Sequence, residues 1–542
     1  MGAMRLRIGD CPCKWVCPPR LHAKPERPSE LESINTDGVE SSRERIRLAY
    51  DPALLQTACE RLARELSRHL ASAQGSEGRV LNWAPPLENI ARATHLAEST
   101  LDSNDPTELV ARFEKLVREM LSRGHNLHDP RYVGHQVPAP IPLAGLFDAV
   151  GSVTNQVMAV YEMGPWSTAV EQAMVRILAG YLGWQHGEYA GVVTHGASLA
   201  NLNALLVARN VALEGSWDQG LSDRSSPQPV IVVQSDAHYS LSRAAGILGL
   251  GTNQVIKAGL DHRRRMNPSE LNSTLASLRS AGHPIVAVVA CACSTPIGAF
   301  DPLNEIADVC EHHHVWLHVD AAHGASALLS DRHRHLVAGL ERADSLVWDA
   351  HKMLFVPALC AFLYFKQHRH SYQAFQQNAP YLFDPTAPDL SEFDLGLRTV
   401  ECTKRSAAYG LWGAWSLFGP QLFADLIDVT FELGRVLFEK LQDASDFVPL
   451  HRPQCNILAF RHIPESLRNA TAAELGDFQR LLRRRMIESG EFYLVATTLD
   501  GCDALRVTLI NPLTTPEHLD QLLESLRRLG REILSGDNSS MA

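Results

Sequence analysis

Seven short runs rich in β-branched residues carry almost no polar alternation: GVVT (191–194), PVIVVQS (229–235), NQVIKA (253–258), PIVAVVA (284–290), VWLHVD (315–320), SLVWDA (345–350) and CAFLYFK (360–366). A strand with one wet face alternates apolar with polar residues, whereas a strand covered on both faces has no reason to. Helical stretches such as ASLANLNALLVARN, YSLSRAAGILGLG and DPLNEIADVCEHH lie between most of the runs. The pattern predicts an α/β domain with a largely parallel, seven-stranded sheet and helices on both faces.

The flanks differ. Residues 1 to about 40 are rich in Pro, Cys, Ser and charge without periodicity and read as a loose arm. DPALLQTACERLARELSRHL (51–70) and PTELVARFEKLVREML (106–121) repeat apolar residues every three or four positions, which predicts amphipathic helices with no strands between them. Their apolar stripes need cover, from the main domain or from a second subunit. After about 410, long helical segments precede CNILAFR, FYLVATT and ALRVTLI, three strands interleaved with helices, as in a small α+β domain. The expected division is an arm at 1–40, a helical dimerisation segment at 41–134, a large domain at 135–409 and a small C-terminal domain at 410–542.

Composition excludes several classes of function. With 542 residues, 45% hydrophobic and 20% charged, the chain has the balance of a globular protein rather than a disordered one. A net charge of -11 gives no electrostatic support to a nucleic-acid partner, and RRR at 263–265 and 483–485 reads as local solvated faces. No apolar stretch approaches 18 residues, so no membrane span is expected. The opening MGAMRLRIGDCPCKWVC lacks an apolar region after its basic residues, which points to the cytoplasm. Cys11, Cys13 and Cys17 cluster without a second set at ligand spacing, so no metal site is expected, and Cys310, Cys360 and Cys455 read as small core side chains.

Four motifs fall where strands meet helices. Lys352 follows a buried run in SLVWDAHKML, where its amine is placed either to attack an aldehyde as a Schiff-base lysine or simply to reach water. Asp320 ends the apolar run WLHVD; a carboxylate there is costly unless a cation faces it, and it serves either a ring nitrogen or the cap of the next helix. In THGASLAN, Gly196, Ala197 and Ser198 offer a phosphate cradle at a helix start, or a plain turn with Ser198 as N-cap. His238 in SDAHYS either covers an aromatic ring or caps a helix in water. Cradle, imidazole, carboxylate and lysine, in that chain order and at one end of a doubly wound sheet, describe a pyridoxal 5'-phosphate site.

With PRYVG, NQVMAVYEMGP, HGASLAN, DAHYS, STPIGAFDPL, HVDAAHG, DAHK and LRVTLINPLTT in order, the sequence resembles the group II pyridoxal-phosphate-dependent amino-acid decarboxylases over about 50 to 530. That family includes aromatic-amino-acid, glutamate, cysteine-sulfinate and diaminobutyrate decarboxylases. The resemblance implies the type I fold of such enzymes and a homodimer with its active sites at the interface. It also implies a role for each matching residue. Lys352 would bind the cofactor covalently, Asp320 would pair with the pyridine nitrogen and His238 would stack on the ring. Ala197, Ser198 and His351 would hold the phosphate, Thr295 would approach the ring hydroxyl side, and Ala322 would pack under the ring. Asp349 stands where relatives often have an asparagine near the phosphate, a charge tolerable only if it turns away or meets a cation. Tyr381, in FQQNAPYLFDP, is otherwise a surface aromatic; by resemblance it is the proton donor on a mobile loop.

The resemblance implies an L-amino-acid substrate, acidic or small polar or aliphatic rather than aromatic, because NQVMAVYEMGP looks closer to the glutamate and sulfinate branch. Arg506 matches an arginine that faces the substrate carboxylate in acidic-substrate relatives, or else pairs structurally at a domain junction. The pattern breaks at His135, where glutamate-type members carry glutamine, and at Pro138, where the aromatic branch uses a hydroxyl residue. His195 replaces a small residue beside the phosphate turn and would narrow the cavity. The alternative reaction is oxidative decarboxylation to an aldehyde, or another lyase use of the same cofactor.

Overall fold

The computed structural model describes residues 36–101, 103–221, 226–375 and 392–536. Cys11, Cys13, Cys17 and Tyr381 lie outside the described residues, as does most of the segment expected to be an arm. Helix Thr36–Ala49 begins inside the last residues of that segment. Contacts divide the chain into two compact units, one drawn from 1–63 and 99–117, the other from 64–98 and 118–542. The first carries helix Thr36–Ala49 and parts of the two expected amphipathic helices, which run over Pro52–Gln74 and Pro106–Arg123. No described helix is long and apolar enough to cross a membrane.

The second unit contains three sheets among the described residues, the smallest a two-stranded pairing of Val157–Met158 with Lys404–Arg405. All seven apolar runs are strands: β1 (Ala190–Thr194), β2 (Val230–Gln234), β3 (Val255–Ala258), β4 (Ile285–Cys291), β5 (Leu317–Asp320), β6 (Ser345–Asp349) and β7 (Ala361–Phe365). They form one sheet in the order β1-β7-β6-β5-β4-β2-β3. The pairs β3/β2, β2/β4, β4/β5 and β5/β6 are parallel, and β7 runs antiparallel to both β6 and β1. Every residue of β1, β2, β6 and β7 is buried, which is why their sequences show no alternation. Cores lie on both faces: Leu317, Val319 and Leu346 belong to one, Val192, Val233 and Val347 to the other.

The C-terminal sheet has four strands, not three. β8 (Phe447–Pro449), β9 (Ile457–His462), β10 (Val495–Leu499) and β11 (Cys502–Thr508) pair antiparallel in the order β8-β9-β11-β10. The extra strand is a three-residue edge ending in proline, too short to show a period. The long helical stretch ahead of it, Tyr409–Asp443, breaks at Gly419 (φ 71°) before Pro420, which cannot donate to the preceding turn.

Chain order reverses between β2 and β4, so a crevice opens beyond the carboxyl ends of the parallel strands at that point. The neighbouring end of β1 is tied down by a buried ion pair. Lys404 Nζ lies 2.7 and 2.8 Å from the Glu171 oxygens, each side chain is 1% exposed, and Glu171 also accepts the Val193 amide at 2.9 Å. Lys404→Met strands that carboxylate and should destabilise the protein by about 3–5 kcal/mol in urea unfolding. Adding Glu171→Gln should recover part of the loss. A Lys404→Met change below about 1 kcal/mol would show that the pair is not carrying this contact.

Candidate active site

The parallel strands β2, β4, β5 and β6 deliver the site's side chains at their last residue or in the turn after it. β5 ends at Asp320, whose Oδ1 accepts the Ala322 amide at 3.2 Å and whose Oδ2 accepts Asn201 Nδ2 at 3.0 Å. It caps no helix, since the 3-10 turn Gly324–Leu329 is preceded by His323 at its N-cap. β2 leads into the loop that carries His238. That loop is pinned by Arg264, whose Nε and Nη2 lie 2.7 and 2.8 Å from the Asp236 oxygens, so part of the arginine run at 263–265 holds the site in place. His238 precedes helix Ser240–Ile247, and its Nδ1 accepts the Ser240 amide at 3.3 Å. Burial lowers the pKa of His238, the Asp320 carboxylate raises it and the Lys352 ammonium lowers it; the neutral ring therefore carries its proton on Nε2.

β6 ends at Asp349 and passes into a single helical turn, Ala350–Met353, that presents Lys352. Lys352 Nζ lies 3.2 Å from Asp349 Oδ2. One crevice is lined by Ala197, His238, Thr295, Asp320, Ala322 and Lys352, six residues expected of the site. Gln136, Cys291, Cys293, Ser294 and His323 line it as well, and sequence reasoning missed all five. Gln136 adjoins His135 in an irregular segment, where no period tells which of the two side chains turns inward. His323 is buried, held through Nε2 by Asn456 at 2.9 Å, and burial pushes its pKa down to about 3. Its motif HVDAAHG was legible, but nothing local distinguished its ring from a core histidine.

Five expected residues do not line that crevice. Asp349 is 1% exposed and sits beneath Lys352, between that ammonium and His351, 3.6 Å away. Burial raises its pKa while Lys352 and His351 oppose the rise. The condition that made a charge tolerable there, a facing cation, is thus met by the lysine. His351 turns its Nδ1 to the Cys360 carbonyl at 2.9 Å. Ser198 is exposed in the first turn of helix Ala197–Ala212, whose N-cap is Gly196, so the reading of Ser198 as N-cap fails. His135 is exposed and packs its ring at 5.7 Å from that of Tyr493. Arg506, on β11, is 5% exposed and gives Nε to the Pro296 carbonyl at 3.1 Å, directly behind the Thr295 wall. His195 does not narrow this cavity either. It pairs with Glu401 and lines a separate hollow with Asp148, Leu359 and Arg405.

These residues fit pyridoxal phosphate. Gly196 has φ 106° and ψ 154°, a conformation open to glycine, and it leaves the first amides of the 16-residue helix Ala197–Ala212 bare at the crevice mouth. Such amides suit a phosphate. An amine, a carboxylate and an imidazole converge on the same space, and His323 Nδ1 is buried there without a hydrogen-bond partner among the described residues. A flat cofactor with a carbonyl, a ring nitrogen and a phosphate has a partner for each group.

Comparison with known proteins agrees with this chemistry. A family model described as the pyridoxal-dependent decarboxylase conserved domain matches residues 95–463. Acidic amino acid decarboxylase GADL1 from Bos taurus is 29% identical over 515 residues, covering 93% of this chain and 96% of its own. The Homo sapiens protein of the same description is 29% identical over 514 residues, with the same coverage. The crystal structure of mouse CSAD matches with a TM-score of 0.79 at 29% identity, over 88% of this chain and 98% of that one. The Oryza sativa TDC structure with PLP and tryptamine, at 22% identity and a TM-score of 0.79 over 89% of this chain and 99% of that one, shares the fold. The chain belongs to the pyridoxal-dependent decarboxylase family, and it is a pyridoxal-phosphate enzyme that removes carbon dioxide from an amino acid.

Proposed function

We propose that the substrate is an acidic L-amino acid, released as its amine, and that Arg506 recognises the carboxylate that is kept. The observation carrying this reading is a buried guanidinium whose Nη2 has no hydrogen-bond partner among the described residues. Burial pushes the Arg506 pKa down to about 10, so the group stays charged at neutral pH and lacks a full set of acceptors. A buried cation in that state favours an anion. Its neighbour Pro296 continues the wall that Cys293, Ser294 and Thr295 present to the crevice, which supports a guanidinium close behind that wall. The relatives described as acidic amino acid decarboxylases support the same class.

Bound at this site, pyridoxal phosphate supplies an electron sink for the bond to the lost carboxylate. The chain's own residues do the rest. Lys352 would hold the cofactor through its amine, and Asp320 would pair with the ring nitrogen and hold a proton there. His238, neutral with Nε2–H, and Ala322 would pack against the ring, and Thr295 would lie on the side of its hydroxyl. The first amides of helix Ala197–Ala212, with the Ser198 hydroxyl, would hold the phosphate. His351 acts from behind, bracing Asp349 and with it Lys352. The proton returned to the reacting carbon is assigned to Tyr381, on the resemblance alone. His135, at the exposed edge beside Tyr493, borders the substrate entrance.

The domain division at 135–409 and 410–542 goes with this reading, Arg506 of the small domain lying behind the Thr295 wall of the large domain's crevice. A cytoplasmic setting is the one that suits unpaired core thiols such as Cys310 and Cys360. A homodimer with sites at its interface is supported by helix Pro142–Val153, which leaves Leu143, Leu146, Val150 and Val153 exposed at spacings of three and four.

Three measurements test the proposal. In a panel of amino acids with amine, aldehyde and carbon dioxide measured together, acidic substrates should turn over best and give amine. Arg506→Ala should cut kcat/KM for them by roughly 10- to 150-fold, chiefly through KM. An Arg506→Ala enzyme with unchanged KM would remove the carboxylate role, and aldehyde as the main product would replace the reaction. Leu146→Glu with Val150→Glu should give an inactive monomer by sedimentation; a fully active wild-type monomer at assay concentration would refute the dimer.

A further inference from the structure

β5 and the residue before it put Trp316, His318 and Asp320 on one face of the sheet, alternate positions along one strand. The β5/β6 register sets Ser345 directly beside His318. Helix Ala197–Ala212, packed on that face, adds Asn201 one turn after Ala197. Together they form an unbroken chain of hydrogen bonds. Trp316 Nε1 lies 2.9 Å from Ser345 Oγ, Ser345 Oγ 2.8 Å from His318 Nδ1, His318 Nε2 2.9 Å from Asn201 Oδ1, and Asn201 Nδ2 3.0 Å from Asp320 Oδ2. Ser345, His318 and Asn201 are fully buried, so water has no place in the chain.

The direction of every bond is forced from its two ends. An indole N–H only donates and a carboxylate only accepts. Asn201 must therefore turn its NH2 to Asp320, which leaves its carbonyl to accept from His318 Nε2–H. Burial pushes the His318 pKa down to about 4, with Asp320 opposing, so the ring is neutral and its Nδ1 is a bare acceptor. Ser345 then donates to Nδ1 and accepts from Trp316. The geometry points to His318 as a positioning residue for the reaction: its Nε2–H locks the Asn201 amide so that a donor, never a carbonyl, faces Asp320, and the carboxylate is thereby aimed at the ring nitrogen of the cofactor.

Without His318 the Asn201 carbonyl is left buried without its partner, and the amide is held only through Nδ2, by Asp320 at 3.0 Å and Ser240 Oγ at 3.1 Å, which loosens the aim of the carboxylate. The same helix starts at the phosphate cradle, so Asn201 also couples the cradle to the carboxylate. This inference rests on the assignment of Asp320 to the ring nitrogen, and the test separates the two.

Neutron diffraction of the wild-type holoenzyme should place the deuteron of His318 on Nε2 alone; a deuteron on Nδ1, or on both nitrogens, overturns the proposal without any variant. Nitrogen-15 NMR with ring-labelled pyridoxal phosphate should show a protonated ring nitrogen in the wild type and its loss in His318→Leu. Affinity of the apoenzyme for the cofactor should fall roughly 10- to 100-fold in His318→Leu, and His318→Gln, which keeps a donor, should recover to within about threefold. Weakened binding with the ring nitrogen still protonated would reduce His318 to packing and overturn the proposal. An unprotonated ring nitrogen in the wild type would instead remove the Asp320 assignment and the inference with it. Should His318→Leu fail to fold, the deuteron position decides.

Discussion

A carboxylate placed at the end of an apolar strand governs this structure. Asp320 follows Leu317 and Val319, both fully packed, and sits beside Cys291 and Val347 of the adjoining strands. A charge there is tolerable only with donors supplied by the protein and a cation supplied by a ligand. The protein provides two donors, the Ala322 amide and Asn201, and each comes from an element that also builds the site. Parallel strands make this economical: their carboxyl ends open on one crevice, so one sheet edge delivers Asp320, His238 and Lys352 without long loops.

The lysine obeys the same logic in reverse. Asp349 is buried beneath it, and a buried acid faced by one ammonium and one imidazole holds the amine near its site. When the amine is engaged covalently, Asp349 loses its strongest partner and His351 remains. Further out, Glu171 and Lys404 anchor the end of β1 just before the glycine turn that frees the first amides of helix Ala197–Ala212. Stability and cofactor chemistry are therefore shared by the same strand ends.

The fold was legible because burial on both faces removes alternation, and that signal survives without knowledge of neighbours. All seven strands followed from it; Ala197, His238, Asp320 and Lys352 followed from motifs within single turns, and Thr295 and Ala322 only from the family resemblance. What escaped depends on distant pairing. Gln136 reaches the crevice while His135 does not, a difference of one residue in an irregular segment that no period resolves. Phe447–Pro449 becomes a strand only because β9 offers it an edge. Asn201 and His318 carry function through partners 117 residues apart in sequence, and a motif reading sees a helix polar residue and a strand histidine. Arg506 was visible as a charge in a strand, but its closeness to Pro296 needed the small sheet to be docked.

The central claim is that Asp320 supplies the charge on which the cofactor's chemistry depends. Turnover of Asp320→Asn at saturating pyridoxal phosphate, with bound cofactor counted on the same sample, tests it most directly. The amide retains size and much of the hydrogen bonding but cannot hold a proton on the ring nitrogen. Decarboxylation should fall by about a hundredfold or more while the fold and bound cofactor persist. Wild-type turnover from a fully loaded Asp320→Asn enzyme would contradict the account.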